Sequence, residues 1–356
     1  MKTAWVIAGS DPSGAAGCQL DQRVFTDHGI HSCTVITATT AQNFSQWLSP
    51  GFLDANLLEG QFAALTSPSM PPPAAVKIGM LGSELAVRLT ADHLEKLNCR
   101  KILDPTLKSS SGGRLCTDDA AAAIRSRLLP MVDLITPNIE EAEFLTGLRL
   151  QSFADLPQAA AVILGSGVRA VLIKGGHLRG SHSSDYFADA KGGYWISTPR
   201  QAHGARGTGC ALSSAIAANC ALGLNLSDSI VAARIYLNNG LRHALSTGSG
   251  VHVISTRHGS PIADDLPEVT RALPDVQNPL RFPNCGQSPL GFYPIVDSFE
   301  WVKRLVDWGA TTIQLRIKNM PDAAIMQQVE HSVSYCHRLG IRLFINDYWE
   351  LAIELQ

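Results

Sequence analysis

The chain has 356 residues, 45% of them hydrophobic and 17% charged, with a formal net charge of −2. This length points to about two domains. The composition is that of a globular rather than a disordered protein, and the near-neutral charge leaves no basic footprint for nucleic acid or an anionic membrane. No apolar run approaches the ~20 residues that cross a bilayer, and the apolar start of MKTAWVIAGSDPSG is too short for a signal peptide. The eight cysteines (Cys18, Cys33, Cys99, Cys116, Cys210, Cys220, Cys285 and Cys336) form neither C-x-x-C pairs nor zinc spacing. Scattered thiols suggest a reducing, cytoplasmic setting.

In chain order, AWVIAG (4–9) reads as a buried strand and residues 17–28 as a helix carrying Leu20, Val24 and Phe25 on one face. CTVITATTAQ (33–42) reads as a strand, 53–65 as a helix, AAVKIGML (74–81) as a strand, and 83–97 as a helix capped by Ser83. RKILDP, DDAAAAIRSRLL and VDLITPN continue the alternation. A Ser152-x-x-Asp155 capping box opens the next helix before the strand RAVLIKGG (169–176). Such alternation predicts an α/β fold with a mainly parallel sheet flanked by helices, and ligands at the carboxyl ends of its strands. DYFADAKGGYWIS predicts a hairpin turning at Lys191-Gly192-Gly193, with helices to follow at about 209–222 and 227–245.

The proline-rich stretch 259–291 reads as a linker between a first domain, 1–258, and a second, 292–356. The second repeats the alternation: strand 292–296, helix 299–309, strand 311–318, helix 322–340, strand 342–347 and an incipient helix.

Residues 204–217, GARGTGCALSSAIA, carry the main chemical signal. Gly207 and Gly209, with Thr208 between them, let backbone amides converge, and the helix that follows points its free N–H groups and positive dipole end at the loop. Such an anion hole stabilises a phosphoryl group in transfer. A tightly packed helix start gives the same letters. Cys210 sits in the first turn, where a lowered thiol pKa makes a proton acceptor, or where a small buried residue simply packs. Asn138 and Glu141, in TPNIEEAE, offer oxygen ligands for Mg²⁺ or an ordinary helix cap. Lys174 ends a strand over the crevice, facing a phosphate or snorkelling at the surface. Asp21 and Gln42 are candidates for hydrogen bonding to substrate, with Asp21 alternatively a solvated helix residue.

Together and in this order, IAGSDPSGAAGCQLD, ITATTAQN, KIGML, TPNIEEAEFLTG, LIKGGH and GTGCALSSAIA resemble the hydroxymethylpyrimidine and hydroxymethylpyrimidine phosphate kinases of thiamine biosynthesis. These belong to the ribokinase-like superfamily. The resemblance covers about residues 1–258. It implies a dimeric enzyme that uses ATP and Mg²⁺ to phosphorylate a pyrimidine alcohol and then its monophosphate. It places Gln42 at the pyrimidine and Asp21 in the substrate-side motif. It ties Asn138 and Glu141 to magnesium and phosphate, puts Lys174 near the transferred phosphate, makes Gly207, Gly209 and Cys210 the anion-hole loop, and sets Thr208 among the cofactor-binding residues. Cys210 takes the place of the aspartate base of many ribokinase relatives. Pyridoxal kinases are near relatives and set an alternative substrate.

The chain departs from the family at Arg206, where His is usual, at Ala211, where Thr is usual, at Gly113, and in Gly14-Ala15-Ala16-Gly17. Arg206 is expected to add positive charge at the phosphate site.

YPIVDSFEWVKRLVDWGATTIQLRIKN and RLFINDYWELAI resemble the start of thiamine phosphate synthase, a TIM barrel. The resemblance makes Gln314, Arg316 and Lys318 diphosphate ligands, Asn346 a pyrimidine-diphosphate contact and Asp347 a magnesium ligand. Only about three of a barrel's eight βα units are represented, so the expectation is an incomplete barrel fragment without synthase activity of its own. A module that docks the rest of a split barrel is the non-catalytic alternative.

Overall fold

The computed structural model describes residues 2–273 and 289–355, apart from 45, 108–112, 114, 177, 179, 202, 249, 257 and 258, with Glu350 described by its backbone alone. The chain divides into two compact units, Met1–Pro274 and Asp275–Gln356.

The strands of the first unit are β1 (Thr3–Ser10), β2 (His31–Gln42), β3 (Trp47–Phe52), β4 (Ala75–Ile78), β5 (Arg100–Leu103), β6 (Leu134–Ile135), β7 (Ala170–Ile173), β8 (His182–Asp189) and β9 (Gly192–Pro199). A short ladder of β10 (Leu245–Ser246) and β11 (His252–Val253) precedes β12 (Glu268–Thr270). A ten-stranded sheet has the order β12-β9-β8-β7-β6-β5-β4-β1-β2-β3. Its centre, β7 through β2 in that order, is parallel, while β3 at one end and β8, β9 and β12 at the other pair antiparallel.

Side-chain alternation along each strand sorts the core onto two faces. On β1, Trp5 and Ile7 join the cluster beneath α2 (Ala55–Leu65), α3 (Glu84–Leu94), α4 (Asp118–Ala123), α5 (Ile139–Thr146) and α6 (Leu156–Leu164). Ala4, Val6 and Ala8 face α1 (Gly17–Asp27), α7 (Thr208–Leu222) and α8 (Leu226–Arg242). Ser83 caps α3 as its position predicts, accepting from the Ala86 backbone N–H, and Ser152 and Asp155 form the expected capping box.

Four details differ from the sequence reading. Strand β3 was not anticipated, because Pro50 and Gly51 weaken a strand signal and are tolerated only at an edge. The β8–β9 turn lies at Ala190 and Lys191, since Asp189 already pairs with Gly192. The helix through DDAAAAIRSRLL changes to a π turn at Ile124–Leu128. Within the stretch read as a linker, Ala263–Asp265 form a 3₁₀ turn and β12 pairs with β9, while residues 274–288 lie outside the described residues. So short an edge strand has no period to read. Its anchor is tertiary: Asp265 is buried against Arg242 at 2.8 Å.

In the second unit, β13 (Ile295–Val296), β14 (Thr312–Leu315) and β15 (Arg342–Ile345) form a parallel three-stranded sheet. They alternate with α9 (Phe299–Asp307), α10 (Asp322–Leu339) and α11 (Trp349–Glu354), the βα repeat of a partial barrel. Val302, Ile313, Leu315, Ile325 and Val329 form its core.

Helix α7 organises the first unit. Ala211 through Ala221 are all buried, between the sheet, α1 and α8. A helix buried all round has to be apolar or small all round, and ALSSAIAANCA meets that condition with Ala and Ser. Gly207 caps it at φ 86°, in the left-handed region, and a Cβ there would run into the Ala15 carbonyl. Replacement by alanine therefore meets both backbone strain and a clash. Gly207→Ala is expected to cost about 1–3 kcal/mol, read as a lowered urea midpoint; an unchanged midpoint would contradict this cap geometry.

Candidate active site

The chain leaves β1 for β2 on one side and then returns to β4 on the other. This reversal opens a crevice beyond the carboxyl ends of β1 and β4, where open α/β sheets bind ligands. Asp11, just past β1, shapes one lip. Its carboxylate accepts from the backbone N–H groups of Ser13 at 2.9 Å and Ala16 at 3.0 Å. That curls the 11–17 loop so that Ala15 packs against Gly207, the cap of α7.

Strand alternation then puts charge in one place. Lys77 shares the face of Ala75, Asp104 that of Ile102, and Lys174 that of Leu172, all on the α7 side. Lys77 Nζ donates to Asp21 Oδ2 at 2.7 Å, and both side chains are 0% exposed. Lys174 Nζ donates to Asp104 Oδ1 at 2.8 Å. Consecutive serines of α7 meet the two acids: Ser214 Oγ donates to Asp21 Oδ1 at 2.8 Å, and Ser213 Oγ lies 3.4 Å from Asp104 Oδ2. Burial alone would lower Lys77, but Asp21, Cys210 and Asp104 outweigh it and hold the ammonium well above its usual range. Burial would raise Asp104, but Lys174 and Lys77 hold it below the usual carboxylate range.

Gly209 brings α7 onto this cluster: a Cβ there would stand 3.1 Å from Lys174 Nζ and 3.6 Å from Asp104 Oδ2. The free N–H groups of Gly207, Thr208, Gly209 and Cys210 thus converge beside two lysines, a cradle that suits phosphate. Of the two readings of Cys210, the surroundings favour burial over a lowered pKa. Burial pushes the thiol up to about 12, with Asp21 and Asp104 adding to the rise and Lys77 and a Gly17 backbone hydrogen bond opposing it. The helix N-terminus and Lys77 do not offset the loss of water, and burial favours the thiol over the thiolate.

Asn138 and Glu141 form a reciprocal capping box at α5. The Glu141 N–H donates to Asn138 Oδ1 at 2.9 Å, and the Asn138 N–H donates to Glu141 Oε2 at 2.8 Å. Burial and Asp104 raise the Glu141 carboxyl against the pull of Lys174, so Glu141 and Asp104 share one lysine. Asn138 also bridges Lys174 in the sheet. Among the described residues, no group of three or more His, Cys, Asp or Glu is arranged to hold a metal ion by itself. A cation here needs phosphate oxygens as further ligands, and a buried carboxylate pair beside a phosphate cradle suits such a hard ion.

Gln42 is half-buried at the end of β2, its amide donating to Thr40 Oγ1 at 3.1 Å. Thr40 is in turn tied to the Ser10 carbonyl at 2.9 Å, and Ala38, Met80, Leu115 and Trp47 form an apolar cluster on the same part of the sheet.

Two expectations change. Asp21, read as a substrate contact or a solvated residue, is fully buried with both oxygens taken by Lys77 and Ser214, so what it holds is α7 and Lys77. Arg206, expected at the phosphate, donates from Nη1 to the carbonyls of Asn43 at 2.9 Å and Phe44 at 2.7 Å. Sequence reasoning also passed over Lys77, Asp104, Ser213 and Ser214. Lys77 was readable as the one charge inside the buried strand AAVKIGML.

In the second unit, Gln314 lies on β14, Arg316 and Lys318 follow it, and Asn346 and Asp347 follow β15. All five therefore gather at the carboxyl ends of parallel strands. Asp347, expected as a magnesium ligand, pairs with Lys318, whose hydrogen bond holds its carboxyl below the usual range.

This fold and cradle define a ribokinase-like phosphotransferase. The phosphomethylpyrimidine kinase model matches residues 11–255 and the thiamine monophosphate synthase model matches 292–356. The hydroxymethylpyrimidine/phosphomethylpyrimidine kinase of Synechococcus elongatus is 40% identical over 251 residues, 69% of this chain and 94% of the relative. The chloroplastic thiamine biosynthetic bifunctional enzyme of Arabidopsis thaliana is 32% identical over 363 residues, 98% of this chain and 67% of the relative. The pyridoxal kinase of Staphylococcus aureus, solved with pyridoxal, matches at TM-score 0.70 and 27% identity, over 76% of this chain and 99% of its own, and it has also been solved with ADP and AMP-PCP. The chain belongs to the phosphomethylpyrimidine kinase family. No described helix is long and apolar enough to cross a membrane.

Removing one member of the buried pair leaves an uncompensated charge. Asp21→Asn is expected to destabilise the first unit by about 3–5 kcal/mol, with Asp21→Asn/Lys77→Met recovering part of the loss. Urea denaturation checks this, and a single variant as stable as wild type would show that the pair is not buried as described.

Proposed function

We propose that this chain phosphorylates 4-amino-5-hydroxymethyl-2-methylpyrimidine and then its monophosphate, giving the diphosphate used in thiamine synthesis. The observation that carries this reading is the approach of the α7 N-terminus to Lys174 through Gly209, beside the crevice that Gln42 overlooks. ATP supplies the phosphoryl group, and Mg²⁺ neutralises the charge of its phosphates. The amides of Gly207, Thr208, Gly209 and Cys210, with Lys174, receive anionic phosphate oxygens and stabilise the charge that spreads in transfer. Glu141, oriented by Asn138, with Asp104 would hold the cation.

Gln42 reads the ring, its amide offering both a donor and an acceptor to an aminopyrimidine edge. Asp21 acts at one remove by fixing Lys77. As the substrate oxygen bonds to phosphorus and the bond from phosphorus to the ADP oxygen breaks, Cys210 Sγ takes the hydroxyl proton. The thiol first gives its own proton to solvent, and the Lys77 ammonium beside it favours the resulting thiolate. Pyridoxal is the second reading, favoured by the likeness to the S. aureus enzyme, and competition between the two alcohols separates them. The second unit adds no step in this reading, because its described strands form an open three-stranded sheet rather than a closed barrel.

A raised thiol pKa sets the sign of the pH dependence. Below about 12 the ionised fraction of Cys210 grows tenfold per pH unit, so kcat is expected to rise with that slope across neutral pH. Cys210→Ala is expected to bind the pyrimidine and lose about 10²–10⁴-fold in kcat. Product masses from the full chain with ATP and Mg²⁺ should show the mono- and diphosphate, and no thiamine phosphate when a thiazole phosphate is added. A flat profile together with a Cys210→Ala rate near wild type would remove the thiol from the reaction. A folded wild type inactive on both pyrimidines would overturn the substrate assignment.

A further inference from the structure

Arg206 stands immediately before Gly207, the cap of α7. Its backbone is fixed from one side: the N–H donates to the His252 carbonyl at 2.8 Å and its carbonyl accepts from Ile254 at 3.2 Å, a bridge to β11. Its side chain runs the other way. One guanidinium nitrogen, Nη1, donates to the carbonyls of Asn43 at 2.9 Å and Phe44 at 2.7 Å, more than 160 residues away in sequence. Those carbonyls belong to the turn that joins β2 to β3. The turn is closed by hydrogen bonds from Asn43 N to the Gln46 carbonyl at 2.9 Å and from Gln46 N to Asn43 Oδ1 at 2.8 Å. Gln42 is the last residue of β2, directly before it. The guanidinium is a fixed fork of donors, well suited to holding two carbonyls at once. Phe44 also lines, with Ser13, Gly14, Ala15, Val253 and Ile254, a cavity of about 200 Å³ beside this contact. The turn therefore touches the anion-hole side both through Arg206 and around that cavity.

We propose that Arg206 is a positioning residue that latches the β2–β3 turn to the N-terminus of α7, setting the place of Gln42 relative to the phosphate cradle. The proposal rests on the reading of Gln42 and the Gly207–Cys210 loop given above. Its effect is expected on the pyrimidine more than on ATP, because its guanidinium is directed at the turn that follows Gln42. An alanine removes both donations, whereas lysine keeps a donor long enough to reach one carbonyl.

The test uses the full chain with Arg206→Ala and Arg206→Lys. Hydrogen exchange without any substrate reads the latch itself. In Arg206→Ala, amides of residues 46–52 are expected to exchange about tenfold faster, as loss of bonds to a charged donor allows, while α8 stays as protected as in wild type. In kinetics, KM for the pyrimidine is expected to rise about five- to tenfold, with KM for ATP within twofold and partial recovery in Arg206→Lys. Unchanged exchange in 46–52 would overturn the latch. Faster exchange with KM for ATP raised and KM for the pyrimidine unchanged would overturn its substrate-side effect and return Arg206 to the phosphate. If wild type phosphorylates no pyrimidine, the function reading fails, and the exchange result alone still decides whether the latch exists.

Discussion

Two lysine–aspartate pairs, Lys77 with Asp21 and Lys174 with Asp104, lie on the α7 face at or beside the ends of parallel strands, and the site depends on them. Buried ion pairs add little net stability compared with apolar packing, but they are intolerant of displacement, because a separated charge in that environment is costly. Their value here is positional. Each acid also faces one of two neighbouring serines of α7: Ser214 donates to Asp21 and fixes the register of the helix over the sheet, while Ser213, bonded more closely to the Gly209 carbonyl, stands 3.4 Å from Asp104. A shift of α7 by one residue would leave one of the two acids without its serine.

With α7 fixed, the rest of the cradle follows from small residues. Gly207 lets the chain turn into the helix against Ala15, and Gly209 lets the first turn reach Lys174. The consequence for Cys210 is less obvious. A helix N-terminus and a nearby ammonium favour a thiolate, yet burial and two carboxylates favour the thiol, and the latter prevail. In the proposed reaction the hydroxyl proton would have an acceptor only once the thiol had lost its own, which would place the control of reactivity in the local charge balance.

Much of this was legible in the sequence. Strand and helix periods gave the parallel sheet, and the loops GTGC and TAQN marked the strand and helix ends that border the crevice. The charge partners were not legible. Asp21 reads as an exposed helix residue because nothing local shows that Lys77 lies beneath it, across a gap of 56 residues. Arg206 reads as a phosphate ligand because its position in the motif is visible and its carbonyl acceptors are not. Asn138 and Glu141 form the helix cap that was one of the two readings given them, and that capping box holds Glu141 beside Lys174. Edge strand β12 was hidden for a different reason: three residues carry no period, and only pairing with β9 makes them a strand.

The central claim is that the α7 N-terminus and Lys174 form the phosphate site. A crystal structure of the full chain grown with AMP-PCP and Mg²⁺ tests it most directly. The account predicts the terminal phosphate within hydrogen-bond distance of the Gly207–Cys210 amides and of Lys174 Nζ, with the cation on the Glu141 side. A terminal phosphate held elsewhere, with those amides facing water, would contradict it.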